Sequence, residues 1–274
     1  MSMSHALNLP AYFARIGYPG GEAAPTMPVL RSIVLHHAQA IAFENLNPLL
    51  GLPVSLDAAD IERKLVFQGR GGYCFEHNLL LGQALRRIGF EVTDLAARVL
   101  WSHPEDAHTA RTHMLMVVDL DDARWVVDVG FGGQTLTGVL ELRPDVPQAT
   151  PHGDFRLLCQ DGLWRMQSRA QDQWRTLYRY DLTPQYHVDY EVSNYYVSTH
   201  PRSLFTQNLM VARPTPQGRR ALQNRDYTFY PLPGQGEPQR RTLAGGAEIL
   251  RVLAEDFGLD VSGLPGLAAR LDRL

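Results

Sequence analysis

The residues best placed to do chemistry surround Cys74, one of two cysteines in the chain, in the stretch QGRGGYCFEHNLLLG at 68–82. A double glycine precedes this cysteine, and an amphipathic helix is predicted to begin at it. A helix N-terminus presents unpaired N–H groups and the positive end of the dipole, which favour a thiolate and can stabilise an adjacent oxyanion. The position therefore favours a nucleophile, whereas Cys159, in an alternating strand, fits the usual role of a small buried apolar residue.

A nucleophilic cysteine requires a histidine base and a group that orients the histidine. His113 opens the predicted strand HMLMVVDL, and Asp128 lies among valines in the next strand, RWVVDVGF. If the intervening DDAR closes a hairpin, the two side chains are neighbours, and a buried Asp128 gains the partner that it needs. Each residue also has a structural alternative: a histidine at a strand end, and a carboxylate that caps a turn.

The order of the predicted elements indicates an α+β fold. Apolar spacing predicts helices at 9–17, 26–43, 55–67 and 74–90, with Asp57 as the N-cap of the third and Gly89 just beyond the last basic turn of the fourth. The β-rich runs that follow over 91–182 contain hairpin turns at 121–124 and at Asp161–Gly162. A connecting helix at 184–200, strands at 204–213 and 226–232, and a helix at 244–258 complete the prediction. Because the helices precede the strands, alternating βαβ units are not expected.

Composition excludes several classes of protein. The chain has 274 residues, a net charge of −3 and a pI of about 6.4, so no basic face for nucleic acid is expected. No apolar run approaches the roughly 18 residues of a membrane span, and no signal peptide is seen. The ten histidines show no spacing typical of metal ligands. Two cysteines cannot form a disulfide framework, which indicates free thiols in the cytoplasm.

Six segments together resemble the arylamine N-acetyltransferase family. They are RGGYCFEHN at 70–78, THMLMVV at 112–118, DVGFGG at 128–133, IAFENLNPLLG at 41–51, ARVLW at 97–101 and PRSLFTQNL at 201–209. The resemblance implies a core like that of cysteine proteases and transglutaminases. It divides the chain into a helical bundle with the cysteine (1–92), a β-barrel with the histidine and aspartate (93–183), an interdomain helix (184–202) and an α/β lid (203–274).

The same resemblance implies a Cys74–His113–Asp128 triad that works by a ping-pong reaction through an acetyl-cysteine. Acetyl-CoA is implied as a co-substrate, with no permanently bound cofactor and no metal. The implied acceptors are arylamines, arylhydrazines and N-hydroxyarylamines, as in the metabolism of foreign compounds. No membrane or nucleic-acid partner is implied, and a homodimer is compatible with the resemblance.

Supporting residues follow from the resemblance as well. Glu44 and Arg70 match a buried ion pair under the catalytic loop, with independent surface charges as the alternative. Glu76 and Asn78 are expected to tie the cysteine helix to its surroundings. Substrate or CoA binding is assigned to Tyr73, Val99, Trp101, Gly130, Phe131, Gly132, Gly133 and Phe205. Core packing is the alternative for the two phenylalanines, and the glycines would let a ligand approach the backbone.

Three other functions are alternatives to this one. A cysteine hydrolase or transglutaminase-like amidase would use the same triad in the same chain order. A ligand-binding protein without catalysis is disfavoured by the complete triad. The acetyltransferase fold that binds CoA without a cysteine nucleophile is disfavoured because no Q/R-x-x-G-x-G/A loop is found. Near Gln68, that spacing places Tyr73 where a small residue should stand.

Overall fold

Helices form the N-terminal region of the computed structural model, which describes residues 5–170 and 173–274. The elements are α1 (Leu9–Ile16), α2 (Met27–Ala40), β1 (Phe43–Glu44), α3 (Leu46–Leu49), α4 (Ala58–Glu62), a π-helical turn (Arg63–Phe67) and α5 (Cys74–Ile88). The prediction of one helix over 26–43 was wrong at its end, because Ile41 is extended and the next residues form β1. The helix predicted at 55–67 is divided into α4 and the π turn. Asp57 stands at the N-cap of α4 but makes no capping hydrogen bond through its side chain.

Helix α5 is the central element of this region. Its first nine residues, Cys74 to Gly82, are all buried, although they include Glu76, His77 and Asn78. The helix ends as predicted at Gly89, whose φ of 106° is typical of a left-handed C-cap. A helix buried on all sides must satisfy its polar side chains internally, and each of these three does so in a different direction.

An eight-stranded antiparallel sheet follows and curls into a nearly closed barrel. Its strands are β2 (Glu91–Val99), β3 (Arg111–Leu120), β4 (Ala123–Val127), β5 (Leu140–Glu141), β6 (Gln148–Thr150), β7 (Gly153–Gln160), β8 (Leu163–Ala170) and β9 (Gln173–Tyr180), in the order β5-β4-β3-β2-β9-β8-β7-β6. The side chain of Gln148 on one edge strand bonds the backbone N–H and carbonyl of Glu141 on the other, at 2.8 and 2.9 Å. Leucines, Val126, Met166 and aromatic rings fill the interior.

Both predicted hairpin turns are present. Asp121 and Asp122 have φ values of 52° and 57°. Asp161 and Gly162 have φ values of 52° and 77°. Positive φ at both central positions matches the right-handed twist of the flanking strands, and aspartate and glycine tolerate it better than most residues. The first of these turns sets the pairing of β3 with β4.

The remainder of the chain consists of α6 (His187–Thr199), α7 (Leu204–Gln207), β10 (Met210–Thr215), β11 (Gly218–Gln223), β12 (Asp226–Pro231), β13 (Gln239–Thr242), α8 (Gly246–Glu255) and α9 (Leu267–Leu271). The strand predicted at 204–213 was wrong in its first half. Ser203 accepts a hydrogen bond from the N–H of Phe205 and begins α7 instead, so the strand starts at Met210. The helix predicted at 244–258 is α8.

The second sheet has the order β1-β10-β11-β12-β13, so a strand from the N-terminal region forms one of its edges. Phe43 of β1 also forms a parallel bridge with Gly72, just before Cys74. The cysteine loop is thereby joined to the C-terminal sheet.

The predicted α+β class, with helices, a barrel and an α/β C-terminal part, is confirmed. The predicted boundary after residue 92 falls inside β2. In the part of the chain that is described, no helix is long and apolar enough to cross a membrane.

Candidate active site

The hairpin of β3 and β4 brings His113 and Asp128 together. Nε2 of His113 lies 2.7 Å from Oδ2 of Asp128, and both side chains are buried. Cys74 approaches from α5, and its Sγ lies 3.6 Å from the carbonyl oxygen of Thr112, the residue before the histidine. Since Nε2 is engaged by the aspartate, Nδ1 is the ring nitrogen left for the thiol. The structure thus brings together the three residues singled out in the sequence.

Asp128 is surrounded by hydrogen-bond donors. Oδ2 accepts from His113 and from the hydroxyl of Tyr178, the latter at 2.9 Å. Oδ1 accepts from Nδ2 of Asn78 at 3.1 Å and from the N–H of Gly130 at 2.9 Å. Burial alone raises the pKa of this carboxyl, but the positive charge and hydrogen bond of His113, with the other donors, hold the pKa below its ordinary value. Asp128 is therefore a buried carboxylate with a full set of partners.

His113 carries the complementary charge. Burial lowers the pKa of its imidazole, but the charge and hydrogen bond of Asp128, together with the nearby Cys74, outweigh burial and raise the pKa to about 10. The imidazole is consequently protonated at neutral pH. A protonated imidazole beside a cysteine at a helix N-terminus is the arrangement found at cysteine nucleophiles.

Asn78 fastens α5 to the barrel one turn after the cysteine. Its Nδ2 donates to the carbonyl of Met114 at 2.7 Å as well as to Asp128. Its Oδ1 accepts from the N–H of Val129 at 3.1 Å. These bonds reach β3 and the turn after β4, so they fix the helix relative to both residues of the ion pair. Asn78 was expected to tie the cysteine helix to its surroundings, and its bonds to Met114 and Val129 connect the helix to β3 and to the turn after β4.

Buried charges also support the loop before Cys74. Arg70 donates through Nη2 to Oε1 of Glu44 at 2.6 Å, and Lys64 donates to Glu76 at 2.7 Å. Burial raises the pKa of Glu44, but the charges of Lys64 and Arg70 outweigh it and the pKa is lowered. Oε2 of Glu76 accepts from the N–H of Tyr73 at 3.1 Å and so caps the start of α5. These are not surface charges.

The glycines of DVGFGG differ in what surrounds them. A Cβ on Gly130 would lie 2.7 Å from Cα and 3.0 Å from the carbonyl oxygen of Cys74, so this glycine makes room for the cysteine helix. Gly132 has a φ of 76° and faces the ring of Phe43. A Cβ on Gly133 would meet no atom within 4 Å, among the residues that the structure describes. The expectation that all three glycines admit a ligand needs correcting for Gly130, where backbone packing explains the glycine.

The aromatic residues assigned to ligand binding also have distinct environments. Phe131 stands edge-on to His113, with ring centroids 5.2 Å apart and planes at 89°. Phe205 is half-buried and packs 5.8 Å from Tyr73, centroid to centroid. Tyr73 itself is buried, and its hydroxyl donates to Asn194. The contacts of the Tyr73 side chain are those of a packing residue, so they give no support to its assignment as a ligand-binding group.

Val99 and Trp101 lie at the end of β2. The carbonyl of Val99 accepts from the hydroxyl of Thr109 at 2.9 Å. The half-buried Trp101 packs against the apolar interior of the barrel.

Cys159 lies on β7 but is exposed, so its interpretation as a buried apolar residue was wrong.

Tyr178 on β9 is the functional-site residue that the sequence interpretation missed. Its hydroxyl bonds Asp128, and its ring lies 4.9 Å from that of His113 and 5.3 Å from that of Phe131, between centroids. Strand alternation in QWRTLYRY places Tyr178 and Tyr180 on one face. The approach of that face to His113 depends on the pairing of β9 with β2, for which the sequence carries no local signal.

The chain is similar to proteins of known name in both sequence and structure. A family model described as N-acetyltransferase matches residues 26–264. An arylamine N-acetyltransferase of Escherichia coli is 41% identical over 251 residues, which are 91% of this chain and 88% of that protein. An arylamine N-acetyltransferase / N-hydroxyarylamine O-acetyltransferase of Salmonella typhimurium is 40% identical over 257 residues, 93% of this chain and 89% of that protein. The structure of Mycobacterium marinum arylamine N-acetyltransferase in complex with CoA matches with a TM-score of 0.92 at 38% identity, covering 97% of this chain and 99% of that chain.

We expect Gly130→Ala to lower the free energy of unfolding by about 1–3 kcal/mol, because the new methyl group overlaps the Cys74 backbone. Gly133→Ala is the matched control and should change it by no more than about 0.5 kcal/mol, since its methyl group enters open space. Urea denaturation measures both. Equal effects of the two substitutions would show that α5 does not approach this turn closely.

The buried ion pair makes stability depend on pH. Because the pKa of His113 rises from 6.5 to about 10 on folding, its contribution is complete below pH 6.5 and is lost as the pH rises towards 10. Asp128, with a lowered pKa, contributes above its ordinary 3.8 and loses that contribution on acidification. Urea denaturation from pH 6.5 to 10 should therefore show a decline in wild type that is smaller in His113→Gln. Parallel pH dependences in the two proteins would contradict the assignment.

Proposed function

Because the chain belongs to the arylamine N-acetyltransferase family, we propose that it transfers an acetyl group from acetyl-CoA to aromatic amines through a thioester formed on Cys74. One observation carries this proposal: Cys74 opens α5 beside His113, whose imidazole is held in its protonated form by the buried carboxylate of Asp128. The complex of the Mycobacterium marinum relative with CoA supports the donor. The names of the bacterial relatives support the acceptor class.

In the first half-reaction, the Cys74 thiolate attacks the carbonyl carbon of the acetyl thioester. The negative charge that develops on the carbonyl oxygen lies near the N-terminal N–H groups of α5, where the helix dipole is favourable. The tetrahedral intermediate collapses by breaking the bond to the CoA sulfur. His113 supplies a proton to the departing thiolate, which leaves an acetyl group on Cys74 and a neutral imidazole.

In the second half-reaction, the amine nitrogen attacks the acetyl carbon on Cys74. His113 accepts the proton that the nitrogen loses, the bond to Sγ breaks, and the thiolate–imidazolium pair is restored with release of the amide. Asp128 holds the ring so that Nδ1 faces the sulfur throughout, because Nε2 stays bonded to its carboxylate. Anilines suit this step because they are weakly basic, so the free amine is present at neutral pH.

The acceptor is proposed to lie against Phe131. This half-buried ring stands beside His113, and an aromatic amine can pack on it with offset or edge-to-face geometry. The open space at Gly133 supports a ligand path beside the same turn. Arylhydrazines and, for O-acetylation, N-hydroxyarylamines are proposed as further acceptors, the latter on the ground of the Salmonella relative's name. We propose the cytoplasm as the compartment, because a reducing environment preserves a nucleophilic thiol.

Cys74→Ala should abolish acetyl transfer, with a loss of roughly 10³-fold or more, because the variant cannot form the thioester. Mass spectrometry of the intact protein after incubation with acetyl-CoA should detect one added acetyl group in wild type and in Cys159→Ala, the matched control. The added group should be absent from Cys74→Ala. Normal transfer by Cys74→Ala would refute the covalent mechanism, and acylation by a peptide amide in place of acetyl-CoA would indicate an amidase.

Phe131→Ala should slow the second half-reaction with bulky anilines more than the acetylation of Cys74. The expected loss of kcat/KM for the acceptor corresponds to about 1–3 kcal/mol of apolar contact and stacking. Stopped-flow measurement of both half-reactions gives the comparison, and Phe205→Ala, measured in the same way, tests the alternative acceptor position. If both half-reactions fall equally, Phe131 acts by orienting the His113 ring and the acceptor site lies elsewhere, with Phe205 as the next candidate.

A further inference from the structure

A row of three buried polar side chains crosses the helical region behind Cys74. The hydroxyl of Tyr12 on α1 lies 2.9 Å from Nδ1 of His37 on α2. Nε2 of His37 lies 3.0 Å from Nδ1 of His77 on α5, and Nε2 of His77 lies 3.2 Å from the carbonyl oxygen of Ala42. All three side chains are buried. The row joins three helices and ends on a single backbone oxygen.

That oxygen is in contact with the loop that delivers the cysteine. The N–H of Gly72 donates to it at 3.3 Å, so the His77 side chain and the loop share one acceptor. A Cβ on Gly71 would lie 2.0 Å from it, which means that the double glycine packs directly against this carbonyl. The N–H of Glu44, two residues after Ala42, donates to the carbonyl of Gly72 at 2.7 Å. The position of Ala42 therefore determines the position of residues 71–72.

The direction of every hydrogen bond in the row follows from its last member. A carbonyl can only accept, so Nε2 of His77 must carry a proton and donate. In a neutral ring, Nδ1 is then an acceptor, and Nε2 of His37 must donate to it. The same reasoning makes Nδ1 of His37 an acceptor and the Tyr12 hydroxyl its donor. Both rings are thus fixed as the Nε2–H tautomer, and each nitrogen is satisfied.

We propose that His77 is a positioning residue for acyl transfer, holding the Ala42 carbonyl and the double-glycine loop so that Cys74 meets His113, while His37, supported by Tyr12, donates to Nδ1 of His77. The inference rests on the proposed acetyl-cysteine reaction. His77 also lies on the same helix as Cys74, three residues later, and its N–H donates to the carbonyl of Tyr73 at 3.1 Å. The side chain of His77 therefore bonds the carbonyl against which the loop packs, while its backbone belongs to the first turn of the cysteine helix.

The charge state of the pair supports this tautomer. Burial lowers the pKa of His77 to about 4, against the raising effects of the Ala42 hydrogen bond, Glu44 and Asp128 and with a further lowering by Lys64. Burial and the neighbouring His77 and Arg15 hold the pKa of His37 well below its ordinary value. Both rings are neutral at physiological pH. A protonated His77 would instead donate from both nitrogens and reverse the bonds to His37 and Tyr12.

The tautomers of His37 and His77 can be measured without an assay of enzyme activity. Long-range ¹⁵N–¹H NMR of the wild-type protein with ¹⁵N-labelled histidine should show, at neutral pH, a protonated Nε2 and a bare Nδ1 in both His37 and His77. Tyr12→Phe, which keeps the ring but removes the end donor, should leave both histidines in the Nε2–H form, because the Ala42 carbonyl sets the direction of the row. An Nδ1–H or doubly protonated His77 in the wild type would overturn the proposal.

Two substitutions at His77 test the hydrogen bonds of its two ring nitrogens separately. His77→Gln places an amide donor near the Nε2 position, which keeps the bond to Ala42, whereas His77→Asn places an acceptor near Nδ1, which keeps only the bond from His37. The rate of Cys74 acetylation at saturating acetyl-CoA should fall roughly 10-fold to 100-fold in His77→Asn, because a displaced loop misplaces the thiolate. It should stay within about 3-fold of wild type in His77→Gln, with the donor restored.

The affinity for CoA separates positioning from a general loss of structure. Binding of CoA should be unchanged in both His77 variants. The acetylation rates are compared at temperatures at which circular dichroism shows that each variant is folded. Equal rates in the two variants would overturn the proposal, as would a loss confined to CoA affinity. If either variant does not fold, His37→Gln and His37→Asn give the same contrast one step away, with the donor-keeping His37→Gln closer to wild type. A wild type that never acetylates Cys74 would refute the proposed function and leave the NMR result standing.

Discussion

One buried carboxylate, that of Asp128, constrains most of the architecture around the active site. A charge taken out of water is tolerated only if it is surrounded by donors, and removing one member of such a pair typically costs about 3–5 kcal/mol. The donors come from four places: Asn78 on α5, His113 on β3, Tyr178 on β9 and the N–H of Gly130. A helix, two non-consecutive strands and a turn must therefore converge on this point. The interaction that charges the imidazole also holds the helical region against the barrel.

Close backbone approach is the second constraint, and it explains glycines that would otherwise be attributed to ligand binding. Helix α5 begins between two such contacts: Gly130 against the Cys74 backbone on the barrel side, and Gly71 against the Ala42 carbonyl on the other. A side chain at either glycine would push Cys74 away from one wall of the site. Gly133 has open space around it, so close packing among the described residues does not account for that glycine.

Local patterns predicted the parts of the site that depend on local structure. The hairpin at Asp121–Asp122 was enough to predict His113 beside Asp128, and the helix signal at Cys74 singled out the cysteine. Tyr178 was missed because its place depends on closure of the barrel through β2 and β9, which no local pattern encodes. Strand β1 has two residues, too few for any periodicity. Cys159 has the same parity as the buried Leu157 on β7, but it lies towards the hairpin end, beyond the apolar interior, and is exposed.

The two buried imidazoles nearest the cysteine show how the chain assigns opposite roles to one residue type. His113 and His77 are both fully enclosed, yet the pKa of the first is raised to about 10 and that of the second is lowered to about 4. Burial opposes the charged form in each, so burial cannot be the cause of the difference. The acceptor decides it: a carboxylate gains far more from a cation than a carbonyl oxygen or a second imidazole does. The ring that meets Asp128 is therefore held as a cation, and the ring that meets Ala42 remains a neutral donor of fixed direction.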